Sequence, residues 1–176
     1  EAILNAAEQV LIDRGLKGFT IDEVAQRAKA GKPTIYRWWP SKAVLLLDVY
    51  HRQKSIVFQN TGKFADDLVA FIDAILTSWR ETASGPVFRS IIAEAQSDEK
   101  SREALTKFAK DRREETAFLV LEGLRRGELR DSINPVKVAR WIGAYLWYQL
   151  LTDRLSLTVD EIRDDMEILL VGLAKE

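Results

Sequence analysis

The sequence predicts an all-α protein. Apolar residues recur at three-and-four spacing along most of its 176 residues, helix-capping signals precede several of these stretches, and no stretch alternates apolar and polar residues as a half-buried strand would. The capping signals are Thr20 with Glu23, Asn134 followed by Pro135, and Thr158 with Glu161.

The elements follow in order. Residues 1–14 carry Ile3, Leu4, Ala7, Val10 and Leu11 on one helical face and stop at Gly15, a residue suited to a helix C-terminus. Thr20 and Glu23 form a capping box for a helix over 20–28, with Ile21, Val24, Ala25 and Ala28 on one face. Lys29-Ala30-Gly31 supplies a break, Pro33 suits the first turn of a helix over 32–39, and Ile35 and Trp39, four apart, face a core. Ser41 caps a fourth helix running to about residue 60, closed by Thr61-Gly62. A helix over 64–82 aligns Phe64, Leu68, Phe71, Ile72, Ile75, Leu76 and Trp79. Ser84-Gly85-Pro86 restarts the chain into a short helix with Phe88, Ile91, Ile92 and Ala95, and a long helix over 98–126 ends at Gly127. Helices over 135–153 and 158–174 complete nine.

Two of these regions point to function. Residues 20–39 read as two short helices around a tight turn, leaving Lys32, Thr34, Tyr36, Arg37 and Trp38 exposed. Such a surface suits a polyanion, because cations pair with phosphates or guanine edges while hydroxyls bond phosphate oxygens. The helix over 135–153 is apolar nearly all round, with Val136, Val138, Trp141, Ile142, Tyr145, Leu146, Trp147, Tyr148, Leu150 and Leu151. A helix of this kind has to be covered on every side, and a second subunit is the simplest cover for the side turned from its own core. The last helix adds a stripe of Val159, Ile162, Met166, Leu169, Leu170 and Leu173. A monomer with two core helices is the alternative that periodicity leaves open.

The run Thr34-Ile35-Tyr36-Arg37-Trp38-Trp39-Pro40-Ser41-Lys42, preceded by Phe19-Thr20-Ile21-Asp22-Glu23-Val24-Ala25, resembles the helix-turn-helix signature of the tetracycline-repressor (TetR) family of transcriptional regulators. The resemblance covers about residues 1–50. Lys29 stands where that family usually has Gly in the turn, and Gly31 where a Ser often caps the recognition helix. The resemblance implies a DNA-binding domain over 1–45 and a helical effector-binding and dimerisation domain over 46–176, with 46–60 as a connecting helix. It further implies a homodimer joined through the helices over 135–153 and 158–174, a palindromic double-stranded DNA operator, and most often repression.

Mapped onto this chain, the DNA-binding set is Thr20, Lys32, Pro33, Thr34, Tyr36, Arg37, Trp38 and Lys42. Lys32, Thr34, Tyr36 and Lys42 are assigned to phosphates, with backbone N–H groups at Ser41-Lys42 aimed at the same anion. Arg37 is assigned to a base edge and Trp38 to a sugar or a thymine methyl, while Trp39 is assigned to the core. Packing within the small domain is the competing reading for Tyr36 and Trp38, a solvated charge for Lys42, and capping alone for Thr20. A small-molecule effector site is expected from Phe71, Trp79, Phe88, Ile92, Phe108, Arg112, Thr116, Trp141, Tyr145 and Tyr148. Aromatic rings with a few polar handles are what an apolar pocket needs, and also what an ordinary helical core contains.

Charge is distributed in keeping with this. The formal net charge is −1, but residues 1–55 hold nine Lys/Arg against six Asp/Glu, a basic head on an acidic body. Catalysis has little to stand on. His51 is the single histidine, Cys is absent, and no Gly-rich phosphate loop, nucleophile elbow or metal-spaced ligand set occurs. The pairs Asp66-Asp67, Glu114-Glu115 and Asp164-Asp165 are adjacent on helices, point apart, and read as solvated faces. No cofactor and no metal are expected, a cytoplasmic location is, and a segment ahead of Glu1 is expected because the chain begins inside a helical pattern. A helical scaffold that binds only protein is the competing class; it accounts for the apolar helix over 135–153 but not for the exposed set around Arg37.

Overall fold

The computed structural model describes residues 1–53 and 60–173, and among these the fold is helical as the periodicity predicts. The helices are α1 (Ala2–Gly18), α2 (Ile21–Ala28), α3 (Lys32–Trp38), α4 (Lys42–Gln53), α5 (Phe64–Glu81), α6 (Ser84–Ala95), α7 (Glu99–Arg125), α8 (Pro135–Leu151) and α9 (Val159–Leu173). None is long and apolar enough to cross a membrane. The expected run of α4 toward residue 60 and the last residue of the 158–174 helix lie outside the described residues.

Helix ends follow local chemistry. Gly15, at φ 62, interrupts α1, and a further turn carries it to Gly18. Thr20 caps α2 by accepting the Glu23 N–H at 3.2 Å. The capping box there is one-sided, because the Glu23 carboxylate turns instead to Arg27 at 3.0 Å. At Thr158 the box closes in both directions: Glu161 accepts the Thr158 N–H at 2.8 Å, and Thr158 Oγ1 accepts the Glu161 N–H at 3.3 Å. Asn134 caps α8 by accepting the Lys137 N–H at 3.1 Å.

The turn after α2 is a Schellman motif. Ala30 N–H reaches Ala25 O at 3.0 Å and Lys29 N–H reaches Gln26 O at 3.2 Å. That closure requires a left-handed residue at position 29, and Lys29 sits at φ 49, ψ 41. Gly127, at φ 74, fills the same role after α7, where no side chain is strained.

The described residues divide into two compact units. The first contains residues 1–53 with 82–108; in it α1 packs on α2 and α4, α2 on α3, and α4 on α6. Its core includes Val10, Leu11, Phe19, Val24, Ile35, Leu45 and Leu46. Tyr50 of α4 stacks on Phe88 of α6 with centroids 4.8 Å apart, and Phe108 meets Tyr50 edge-on at 5.7 Å. By packing, then, α6 and residues 99–108 of α7 group with the N-terminal helices, whereas the expected boundary at 45/46 follows the signature alone.

The second unit contains residues 60–81 with 109–173, and α5 packs on α8 and α9. Here the sequence reading of Asp67 as solvated is corrected. Asp67 is 2% exposed because helical periodicity places it beside Leu68 on the inner side of α5, next to the end of α7. It survives there fully bonded: Oδ1 accepts the Thr61 N–H at 2.6 Å and hydroxyl at 2.7 Å, and Oδ2 pairs with Arg126 at 2.9 Å. Arg126 also pairs with Glu128 at 2.5 Å and donates to Asn60 at 3.0 Å, while Glu128 accepts the Phe64 N–H at 2.7 Å. Burial pushes the Asp67 carboxyl upward, but the two Thr61 bonds and Arg126 outweigh it and hold the pKa below the ordinary carboxylate value.

Two stability measurements follow. Replacing Lys29 with Gly relieves a left-handed lysine and is expected to raise unfolding free energy by about 1 kcal/mol in urea titrations, with helix content unchanged. Asp67→Asn leaves Arg126 short of a buried partner and is expected to cost about 3 kcal/mol at neutral pH. Because the folded-state pKa of Asp67 is depressed, its contribution is present above the ordinary carboxylate pKa and is lost as pH falls through the folded value. The gap between the wild-type chain and Asp67→Asn should therefore narrow in acid; a gap independent of pH would show that the charge at Asp67 contributes nothing.

Candidate nucleic-acid interface

The exposed set lies on α3, and one side chain orients it. Ile35 is fully buried at 0% exposure, and with it inside, Lys32, Pro33, Thr34, Tyr36, Arg37 and Trp38 all face outward. Tyr36 and Trp38 are 47% and 68% exposed, which decides against the reading of these two rings as small-domain packing. Gly31 opens the helix with φ −71 and ψ 144 and no side-chain cap, and Pro33 stands in the first turn.

Each expected DNA-binding residue has a definite setting. Thr20 is exposed and caps α2. Lys32 forms an ion pair with Asp22, whose hydrogen bond raises the lysine pKa. Arg37 has no hydrogen-bond or ion-pair partner among the described residues, so its five N–H donors are available to an incoming acceptor. Arg27, by contrast, is taken up by Asp13 at 2.5 Å and Glu23 at 3.0 Å, tying α2 to α1.

Lys42 is half-buried rather than a freely solvated charge, with its ammonium 5.5 Å from the centroid of the buried Phe19 ring. Ala43 N–H donates to Glu94 Oε1 at 3.3 Å and Val44 N–H to Ser41 Oγ at 3.2 Å, so these two amides are already occupied and do not point at an outside anion. Trp39 is half-buried, not a core residue, because its indole N–H turns to Asp48 Oδ2 at 2.7 Å. Glu94 and Ser101 were not legible as part of this region: they lie 51 and 60 residues from their partners Ala43 and Ser41.

The expected effector residues fall in both units. Phe88, Ile92 and Phe108 belong to the first unit, where Phe88 and Phe108 pack against Tyr50. Phe71 and Trp79 are buried in the second unit. Arg112 pairs with Glu115 at 2.6 Å, and the Thr116 hydroxyl donates to the Arg112 carbonyl at 2.8 Å. Burial pushes the Tyr145 pKa up, and the bond its hydroxyl donates to Asp165 Oδ2 at 2.8 Å adds to the rise. Trp141 and Tyr148 are 65% and 54% exposed. The buried side of α8 is Val138, Ala139, Ile142, Leu146, Gln149 and Leu150, which includes none of its expected effector positions Trp141, Tyr145 and Tyr148.

Comparison with known proteins agrees with the geometry. Residues 3–49 match the family model described as "Bacterial regulatory proteins, tetR family". Residues 58–168 match "Tetracyclin repressor-like, C-terminal domain". The chain is 32% identical over 167 residues to the HTH-type transcriptional regulator YdeS of Bacillus subtilis (strain 168), covering 93% of this chain and 81% of that protein. It is also 32% identical over 113 residues to the DNA-binding transcriptional repressor TetR of Mycobacteroides abscessus, covering 62% of this chain and 59% of that one. Among solved structures, the TetR family transcription regulator SCO0332 superposes with a TM-score of 0.82 at 24% identity, covering 99% of this chain and 97% of that chain, a likeness of fold. With a TetR-type helix-turn-helix head carried on α2 and α3 and a TetR-type C-terminal region matched over more than half its length, the chain belongs to the TetR family of DNA-binding transcriptional regulators.

Proposed function

We propose that the chain is a homodimeric repressor that reads a palindromic DNA operator through α3 and is released by a small, largely apolar effector. The observation that carries the DNA reading is the outward set Tyr36, Arg37 and Trp38 on a helix fixed by the buried Ile35. Arg37 is the side chain for a guanine edge, Lys32, Thr34, Tyr36 and Lys42 contact phosphates, and Thr20 caps beside them. Residues 1–45 serve as the DNA-binding domain and 46–176 as the effector and dimerisation domain.

Dimerisation is supported by what α8 and α9 leave uncovered. Trp141, Tyr148 and Leu151 are exposed along one stripe of α8, and Ile168 and Val171 of α9 are 86% and 72% exposed. A second copy offering the same stripe covers both, and the two heads then address half-sites one helical turn or a multiple apart. An effector is supported by Gln149. It is 1% exposed, and its Oε1 is buried with no partner among the described residues. A buried amide oxygen of this kind is satisfied when a ligand brings a donor to it. Binding there would shift the population toward head arrangements that do not fit the operator. Repression accords with the named repressor among the relatives.

Selection of bound sequences from random duplex DNA should return a palindrome, and compounds can then be screened for release of the selected site. Arg37→Ala is expected to weaken that site about 5- to 150-fold with helix content and dimer mass unchanged. Full affinity in the variant would remove α3 as the reading helix, and a pool without an enriched motif would remove the regulator reading. Trp141→Asp should convert the sedimenting species from dimer to monomer; a dimer that persists with unchanged dissociation would place the interface elsewhere.

A further inference from the structure

Three helix ends of the first unit meet at one carboxylate. Glu94, in the last turn of α6, accepts the Ala43 N–H of α4 and the Ser101 hydroxyl of α7 on the same Oε1, each at 3.3 Å. Ser101 is 1% exposed, and its Oγ lies 2.7 Å from the Oγ of Ser41, the residue that caps α4. Asp98 completes the set by accepting the Ser101 N–H at 2.7 Å.

The direction of these bonds follows from proton accounting. Glu94 only accepts, so when the Ser101 hydroxyl gives its proton to that carboxylate, the Ser41 hydroxyl donates to Ser101. Ser41 in turn accepts from Val44. The first turn of α4 is thus held by a chain of bonds that ends on Glu94, and a bond to an ionised acceptor is stronger than a neutral one.

This start of α4 carries Lys42 and follows directly on the recognition helix. Only Trp39, Pro40 and Ser41 separate α3 from α4, Pro40 restricts the link, and Trp39 is tied forward to Asp48 of α4. Displacing the first turn of α4 therefore displaces α3. We propose that Glu94 is a positioning residue for DNA binding: without facing DNA itself, it fixes the first turn of α4 through Ala43, Ser101 and Ser41, and so sets the placement of Lys42 and the recognition helix. The proposal rests on α3 being the DNA-reading helix, and it makes the α6–α7 junction part of the DNA-binding head.

The test uses the full chain with Glu94→Ala, Glu94→Gln and Ser101→Ala, read by affinity for the selected operator and by hydrogen exchange of the Ala43 amide, under conditions where circular dichroism shows each variant folded. Glu94→Gln keeps an acceptor oxygen and should bind within about threefold of wild type, whereas Glu94→Ala should lose about tenfold or more and expose the Ala43 amide to fast exchange. Ser101→Ala should weaken binding by less, and its effect should not add to that of Glu94→Ala in the double variant. A merely stabilising contact would lower the melting temperature and leave the affinity of folded protein unmoved. Wild-type affinity in Glu94→Ala, an equal loss in Glu94→Gln, or unchanged Ala43 exchange in Glu94→Ala would each overturn the proposal. If Glu94→Ala does not fold, unchanged affinity and exchange in Ser101→Ala overturn it. If the wild-type chain selects no sequence, the DNA reading fails, and Ala43 exchange still decides whether Glu94 anchors α4.

Discussion

A helix of seven residues is too short to persist by its own hydrogen bonds, since nucleation is costly and isolated helices below about 12 residues are marginal in water. α3 spans Lys32–Trp38 and turns most of its side chains to solvent, so its stability and direction are imposed from outside. Much of the first unit can be understood as meeting that constraint. Ile35 is the inward pin, and the Schellman closure at Lys29 sets the angle of entry. The indole of Trp39 fixes the exit to Asp48. The buried Phe19 ring beneath Lys42 and the bonds around Ser41 then hold the helix that follows.

Such a head has a cost, visible at position 29. A left-handed lysine is strained where glycine is not, yet the closure after α2 demands that conformation of whatever residue stands there. The second unit carries a different compromise. A carboxylate is taken almost wholly out of water at Asp67, and it is tolerated because both oxygens are bonded and Arg126 is itself held by Glu128 and Asn60.

What the sequence made legible is what short-range chemistry decides. The caps at Thr20, Ser41, Asn134 and Thr158 each depend on residues within one turn, and they stand where spacing places them. The outward set on α3 was legible too, because Ile35 alone fixes the phase of so short a helix. Long-range pairing was not. Nothing within a turn of Asp67 announces Arg126, and nothing near Ser41 announces Ser101 or Glu94. The aromatic residues were ambiguous for a further reason: rings suit a core, a pocket and a subunit face equally, and only the fold shows that the chain itself leaves Trp141 and Tyr148 exposed.

The pairing of Lys32 with Asp22 bears on how binding responds to ions. A cation that neutralises a phosphate ordinarily releases about 0.9 of a condensed counterion, which is what makes such contacts fade as ionic strength rises. Lys32 already has a counterion built into the fold. In the proposed reading, where Lys32 turns to phosphate, Asp22 is left to draw a cation from solution, and that uptake offsets the release. The ionic-strength slope of this head should therefore under-report the number of phosphates it touches.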